Sequence, residues 1–319
     1  MRILYSKQTN DMKHKYWIFT IALALLFVGA DGYLASKGSV ASEKYSNISN
    51  IGNNNKQDDD IISTILQSIP SPLELSQLIK EVGTDYNLNF LNASTSVNNY
   101  NTSYRQALNL GIYSTDLGYC NLYNKNQDIL NYLSSVKDLA NDLGIGQYFD
   151  AETIKKLVGD RNNLEALINT TQQNFEKINT HLREEKREYQ SVLLLTGGWV
   201  ESVYITTLVY KQTKAKGGAK VEKLKEKIGE QKLTLEQLVL VLEIYKSKPS
   251  FDGLVADFKE LQKIYNRVQI VTKQGPSTTV IVNGAPETTG GTITTVTMSD
   301  ADLELIATQL ANIRNKIIK

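Results

Sequence analysis

The chain has 319 residues, of which 35 are basic and 34 acidic, and its formal net charge is +1. Because the charges balance, the protein has no overall positive electrostatic field that would attract nucleic acid, so no nucleic-acid partner is predicted. One cysteine excludes an internal disulfide framework and any cysteine-built zinc or iron–sulfur site. Two histidines exclude most imidazole-based catalysis, while a hydrophobic fraction of 41% allows a real core.

The first thirty residues have the pattern of a secretory signal peptide. A basic cluster at 13–15 precedes an apolar run over 16–30, which is about 15 residues and shorter than the ~20 that cross a bilayer. Val28 and Ala30 have the small-x-small spacing of a cleavage site. The sequence therefore predicts an exported protein, periplasmic or envelope-associated. The alternative is an uncleaved inner-membrane anchor formed by residues 16–34.

We expect signal cleavage after Ala30, because the small residue pair follows the apolar run at the required distance. The mature chain would then begin at Asp31. Intact-mass spectrometry of the exported protein checks this. A mature chain that still contains Trp17 would contradict cleavage and favour the anchored alternative.

After the signal, the sequence predicts a tether and then a single helical domain. Residues 31–57 are rich in Ser, Gly and Asn and predict a disordered segment. The domain spans 58–319. It opens with two short predicted helices, over 58–69 and from 71 to about 82, and a loop over 84–100 follows them.

The middle of the domain predicts long helices. A helical pattern without proline runs from about 102 to 143 and is apolar or small on nearly every side over 104–122, as in a central bundle helix. A helix over 151–158 comes next. A long helix begins at about Asn162, and its sequence becomes almost wholly apolar over 191–210.

Three further helices are predicted toward the C-terminus. The first ends at about Tyr245 and the second runs from Pro249 to about Val268. Ser299 is placed to cap the last one. The apolar stripe of that last helix consists of Leu303, Ile306, Leu310, Ile313 and Ile317.

A β-hairpin is predicted between the last two helices. β-Branched residues fill 278–282 and 292–297, and turn residues lie at 283–284 and 290–291. Strands are otherwise too few for a parallel sheet. The predicted fold class is therefore all-α, an elongated helical bundle with one β-hairpin insertion at about 270–298.

Three short segments resemble a known kind of protein. They are Ala107–Tyr119, Leu143–Gly146 and Thr196–Trp199, and they resemble parts of an exported, all-helical bacterial family that has no assigned activity. The resemblance implies export and a helical fold. It implies no catalytic or binding residue.

Two isolated carboxylates outline the candidate site. Asp116 and Glu201 are lone charges within long apolar segments, so both are predicted to be buried if those segments pack together. A buried carboxylate must be hydrogen-bonded, paired or protonated. Tyr113 and Tyr119 could donate, and Trp199 lies close to Glu201 in sequence. The group forms either a polar pair that fixes helix register or a ligand or proton site.

Glycines predict a close helix contact. Gly111 and Gly118 lie on one predicted helix, and Gly197 and Gly198 could provide the matching surface on another. A glycine within a helix costs about 1 kcal/mol relative to alanine, so a compensating contact is expected. The alternative is a kink or ligand groove at the glycine pair.

Two other features have simpler predicted roles. Cys120 lies in an apolar stretch without a basic neighbour and is predicted to be an unreactive core residue. The stretch 211–232 holds eight lysines and three glutamates. It predicts either a solvated turn or a surface for an anionic membrane or an acidic partner.

The predicted function is an exported, non-enzymatic helical scaffold or interaction protein of the cell envelope. Its partner is an unknown protein or a second copy, bound through the hairpin. One alternative is a binding module with a small-molecule or lipid-like pocket near Asp116 and Glu201. Another is a membrane-active protein in which 191–210 inserts. No catalytic residue, metal site or cofactor is predicted.

Overall fold

The structure, a computed structural model, describes residues 73–149, 164–282 and 285–319. The predicted signal, the tether and the helices over 58–69 and 151–158 lie outside these residues. Within them the chain is mostly helical, with a two-stranded antiparallel hairpin near the C-terminus. The predicted fold class is confirmed.

The part of the chain that the structure describes contains eight α-helices and two strands. In chain order they are α1 (Leu73–Val82), α2 (Ser103–Leu122), α3 (Asn126–Asp142), α4 (Leu164–Glu184), α5 (Glu188–Thr213), α6 (Ala219–Ile244), α7 (Phe251–Tyr265), β1 (Gln269–Val282), β2 (Ala285–Thr297) and α8 (Asp300–Ile318). The helices belong to one compact unit, and residues 270–295 of the hairpin belong to another.

The continuous helix predicted over 102–143 is wrong, because the chain forms two helices there. The break between α2 and α3 contains Asn124, whose φ of 54° is left-handed. Asparagine adopts this conformation more readily than most residues. The break lets α3 fold back against α2.

A second break separates α4 from α5. Lys186 has a φ of 59°, and the backbone amide of Arg187 donates to the Leu182 carbonyl at 2.7 Å. The Arg187 guanidinium donates to the Leu143 carbonyl and, at 3.0 Å, to Oε1 of Gln190. The long helix predicted from about Asn162 is therefore two helices, joined by a corner that the contacts of Arg187 hold in place.

Helix α5 runs through the centre of the helical unit. It packs against α2, α6 and α8 and is buried on nearly every side. Among the described helices, this one is long and apolar enough to cross a membrane, but 83% of its most apolar window is buried in the protein. Its composition is accounted for by its central position in the bundle.

The hairpin strands are longer than predicted. Residues 290–291, predicted as a turn, lie inside β2, and β1 begins nine residues earlier than expected, at Gln269. Glycine within a strand is typical of a bulge and does not require the strand to end. The hydroxyls of Thr272 and Thr294 lie 3.4 Å apart across the two strands.

Candidate functional site

The site is organised by a crossing at which the backbones of α2 and α5 touch. A Cβ added to Gly111 would overlap the Leu194 carbonyl oxygen and lie 2.6 Å from the Gly198 amide nitrogen. A Cβ on Gly197 would overlap the carbonyl oxygen of Leu108. The predicted close packing of Gly111 against the Gly197–Gly198 pair is confirmed.

Thr115 strengthens this crossing. Its hydroxyl lies 3.1 Å from the Gly111 carbonyl and 3.2 Å from the Gly198 carbonyl on the facing helix. Gly118 lies farther along α2 and is half-buried. The glycines at the crossing are thus explained by contact between two helices, which is the simpler of the two predictions.

The crossing brings Asp116 and Glu201 into the core. Each follows a contacting glycine by about one turn, Asp116 after Gly111 and Glu201 after Gly197. Both side chains have a relative exposure of 0%, so their predicted burial is confirmed. The two carboxyl groups are close enough for Glu201 to affect the pKa of Asp116.

Arg314 of α8 completes the cluster. Its Nε donates to Oε2 of Glu201 at 2.5 Å, and its Nη2 donates to Oε1 at 2.7 Å. The guanidinium also lies 4.6 Å from the ring centroid of Tyr204. Burial alone would lower the pKa of Arg314, but the charge and hydrogen bonds of Glu201, together with the nearby Asp116 and Tyr204, outweigh it and the pKa is raised.

The sequence analysis missed Arg314, although a signal was present. It lies four residues after Leu310 and three before Ile317, which places it on the apolar stripe of α8. A cation on the buried face of a helix needs a buried anion.

Asp116 is held differently from Glu201. Its Oδ2 accepts from the Asn92 backbone amide at 3.1 Å, while Oδ1 has no hydrogen-bond donor among the described residues. Burial raises the pKa of Asp116 well above its ordinary value, and the neighbouring Glu201 raises it further. Arg314 offsets only part of this effect.

The cluster fixes a segment that we call the buried loop, residues Phe90–Ser94, in which Phe90, Leu91 and Asn92 are buried, Ser94 is half-buried and Ala93 is exposed. The backbone groups of this loop are paired with side chains from three helices. The contacts are Phe90 O with Arg314 Nη2 (3.3 Å), Asn92 N with Asp116 Oδ2 (3.1 Å), Asn92 O with Tyr132 Oη (2.7 Å), Ala93 O with Tyr113 Oη (2.8 Å) and Ser94 O with Ser135 Oγ (3.0 Å). Because buried backbone groups must be paired, these side chains allow the loop to enter the core.

The remaining candidate residues are separated from the carboxylates. Tyr119 accepts a hydrogen bond from the Asn87 amide at 3.3 Å and packs among other tyrosines. Trp199 donates to Gln231 at 2.9 Å and packs on Phe258. The predicted grouping of Trp199 with Asp116 and Glu201 is therefore not found, because residues two apart on a helix point in different directions.

Cys120 is fully buried, as predicted for a core residue. Burial raises the pKa of its thiol to about 12, although a hydrogen bond with the Tyr86 hydroxyl acts in the opposite direction. A thiol that remains protonated at neutral pH is a poor nucleophile.

A shallow concavity lies away from the cluster, along α4. It has a volume of about 530 Å³ and is open to solvent, and neither Asp116 nor Glu201 lines it. It is lined by Tyr148, Gln173, Glu176, Lys177, Thr180, His181 and Glu184. Nowhere in the described ranges do three His, Cys, Asp or Glu side chains gather as metal ligands would.

The basic stretch over 211–232 is largely tied to the protein. Its lysines contact acidic side chains or backbone carbonyls in five cases: Lys211 with Glu304, Lys220 with Glu81 O, Lys225 with Asp300, Lys227 with Glu230 and Lys232 with Val268 O. Lys214 and Lys216 are exposed at the turn before α6. Because most of these lysines already contact the protein, the structure favours a simple turn between helices over a surface for an anionic membrane or an acidic partner.

Comparisons of the chain with protein families, with curated proteins and with solved structures found no match.

Proposed function

We propose that the protein is an exported helical scaffold of the cell envelope that presents its C-terminal hairpin to another protein chain and does no covalent chemistry. The signal pattern over residues 1–30 supports export. The observation that carries the proposal is the hairpin itself. Strands of 14 and 13 residues form a two-stranded sheet whose residues 270–295 belong to a different compact unit from the helices.

Such a hairpin has the properties of a docking strand. Each strand has one neighbour in the described sheet, so its other edge carries backbone groups available for pairing. β1 and β2 carry two charged residues, Lys273 and Glu287, so few charged side chains oppose another strand. Pro276 in β1 and Pro286 in β2 lack an N–H, so neither can donate a hydrogen bond to a neighbouring strand. An extended, uncharged segment of a partner or of a second copy fits the remaining edge.

The core of the helical unit supports a scaffold more than a binding pocket. Both Glu201 oxygens are bound by Arg314, and Asp116 holds the Asn92 amide. The carboxylates thus stabilise the buried loop and are closed to solvent. The arrangement gives no support to the alternative of a ligand pocket at these residues.

The proposal predicts that removing the hairpin abolishes association and leaves the helices folded. Residues 270–295 are deleted and bridged by a short Gly/Ser linker. Val268, Val296 and Met298 remain and keep their packing around Gly229 of α6. We expect an unchanged helical circular dichroism spectrum. Self-association in sedimentation, or cross-linking to a partner in the envelope fraction, should be lost.

Matched point variants locate the contact. Val271 is an exposed strand residue, and Val271→Lys adds a charge that opposes strand pairing. Leu130→Lys makes the equivalent change at an exposed position of α3. Association should weaken in the first variant only. Association that persists in a folded deletion variant, or that is lost in Leu130→Lys, would refute the hairpin as the contact.

A further inference from the structure

The buried cluster contains two acids and one base. Glu201 uses both oxygens to accept from Arg314 in a bidentate pair, which is the geometry of an ionised carboxylate with a guanidinium. If Asp116 were also ionised, the cluster would carry a net negative charge in a region without solvent. Asp116 and Glu201 are 0% exposed and Arg314 is 6% exposed. A buried charge without a partner is strongly unfavourable.

The carboxyl group of Asp116 also has too few hydrogen-bond donors around it for an ionised group. Its Oδ2 has one donor, the Asn92 amide, and its Oδ1 has none among the described residues. Its carboxyl neighbour, Glu201, offers only acceptor oxygens when ionised. Two carboxyl groups that share one site bind a common proton, because both cannot be ionised at close range.

We propose that Asp116 is protonated in the folded protein and donates a hydrogen bond to Glu201. We call this proton the latch, because it keeps the buried loop docked. The loop opens when rising pH removes the proton. The loop contacts Asp116 through Asn92 and Arg314 through Phe90, so both ends of the cluster hold it. Loss of the proton leaves a buried charge. Opening of the loop relieves that charge by admitting water.

No other group facing Asp116 competes for this titration in the neutral range. The titratable groups around it are Glu201 on α5, Arg314 on α8, Tyr132 on α3, and Tyr113 and Cys120 on its own helix. Burial raises the pKa of both tyrosines far above their ordinary value and that of the thiol to about 12. Arg314 stays charged. Asp116 is therefore the group that responds to pH here.

The direction of the pH effect follows from the raised pKa. In the unfolded chain Asp116 has a pKa of about 3.9. Above that pH the unfolded chain releases the proton, whereas the folded state retains it up to its raised pKa. Stability therefore falls as the pH rises from about 4 to the folded pKa, and this contribution is constant outside that window. Asparagine is neutral at every pH, and its amide can donate where the protonated oxygen does. Asp116→Asn should keep the latch closed.

Hydrogen exchange with mass spectrometry tests the latch on the full chain. Peptides covering residues 88–99 are followed between about pH 5 and pH 9, after correction for the intrinsic exchange rate. Protection should decrease with pH in the wild type and stay constant in Asp116→Asn. Asp142→Asn is the matched control, since Asp142 is exposed and accepts a hydrogen bond from Gln106. It should behave as the wild type does.

Infrared spectroscopy tests the proton directly. A protonated carboxyl group gives a C=O stretching band that an ionised carboxylate lacks, and the wild type should show it at neutral pH. Asp116→Asn should lack this band. Its absence from the wild type would overturn the proposal, even if the variant fails to fold. Equal pH dependence of loop protection in the wild type and in Asp116→Asn would overturn it as well.

Discussion

Replacing Arg314 with methionine is expected to lower the free energy of unfolding by about 3–5 kcal/mol. Methionine has similar reach but no charge, so Glu201 would stay buried without its cationic partner and without its two hydrogen bonds. The Phe90 carbonyl would also lose a donor. Equilibrium urea unfolding, followed by circular dichroism, measures the change.

Lys316 provides the matched control on the same helix. It pairs with Asp257 at 2.6 Å, but its side chain is 65% exposed, and surface pairs contribute at most about 1 kcal/mol. Lys316→Met should therefore be nearly neutral. A similar cost for Arg314→Met and Lys316→Met would contradict the importance of the buried pair.

A double variant separates the ion pair from the packing around it. Combining Arg314→Met with Glu201→Gln removes both charges, and buried ion pairs can be replaced by neutral groups at little cost. The double variant should be more stable than the sum of the two single changes predicts. Additive losses would show that the two side chains act independently.

The carboxylates of this cluster were predictable, and their partner was not recognised. Asp116 and Glu201 stood out as lone charges in long apolar segments, a local property of the sequence. Arg314 lies near the end of α8, where a long basic side chain usually extends to solvent. Only its position between Leu310 and Ile317 on the apolar stripe distinguishes it.

The buried loop shows why local patterns were insufficient. Residues 84–100 are rich in Asn, Ser and Thr, which is typical of an exposed connection. The structure buries Phe90 and Asn92 because side chains distant in sequence pair with the backbone of the loop. Tertiary hydrogen bonds of this kind leave no periodicity in the loop itself.

The helix breaks differ in how far the sequence signals them. Asn124 is a residue type that tolerates positive φ, so a break there was open to prediction. Lys186 has no such preference, and its corner is fixed by neighbouring contacts of Arg187. A prediction from the helical pattern alone therefore gave one long helix where tertiary contacts produce two.

Gly197→Ala is expected to lower the free energy of unfolding by about 1–3 kcal/mol, although alanine favours a helix by about 1 kcal/mol. The new Cβ would overlap the Leu108 carbonyl oxygen and lie 2.8 Å from its carbon, so the backbones of α2 and α5 must separate. Gly253→Ala in α7 is the matched control, since its Cβ would meet no atom within 4 Å. That change should stabilise the protein by about 0.4–1 kcal/mol. Urea unfolding of both variants gives the comparison, and a Gly197→Ala variant as stable as Gly253→Ala would show that the two helices do not touch at this crossing.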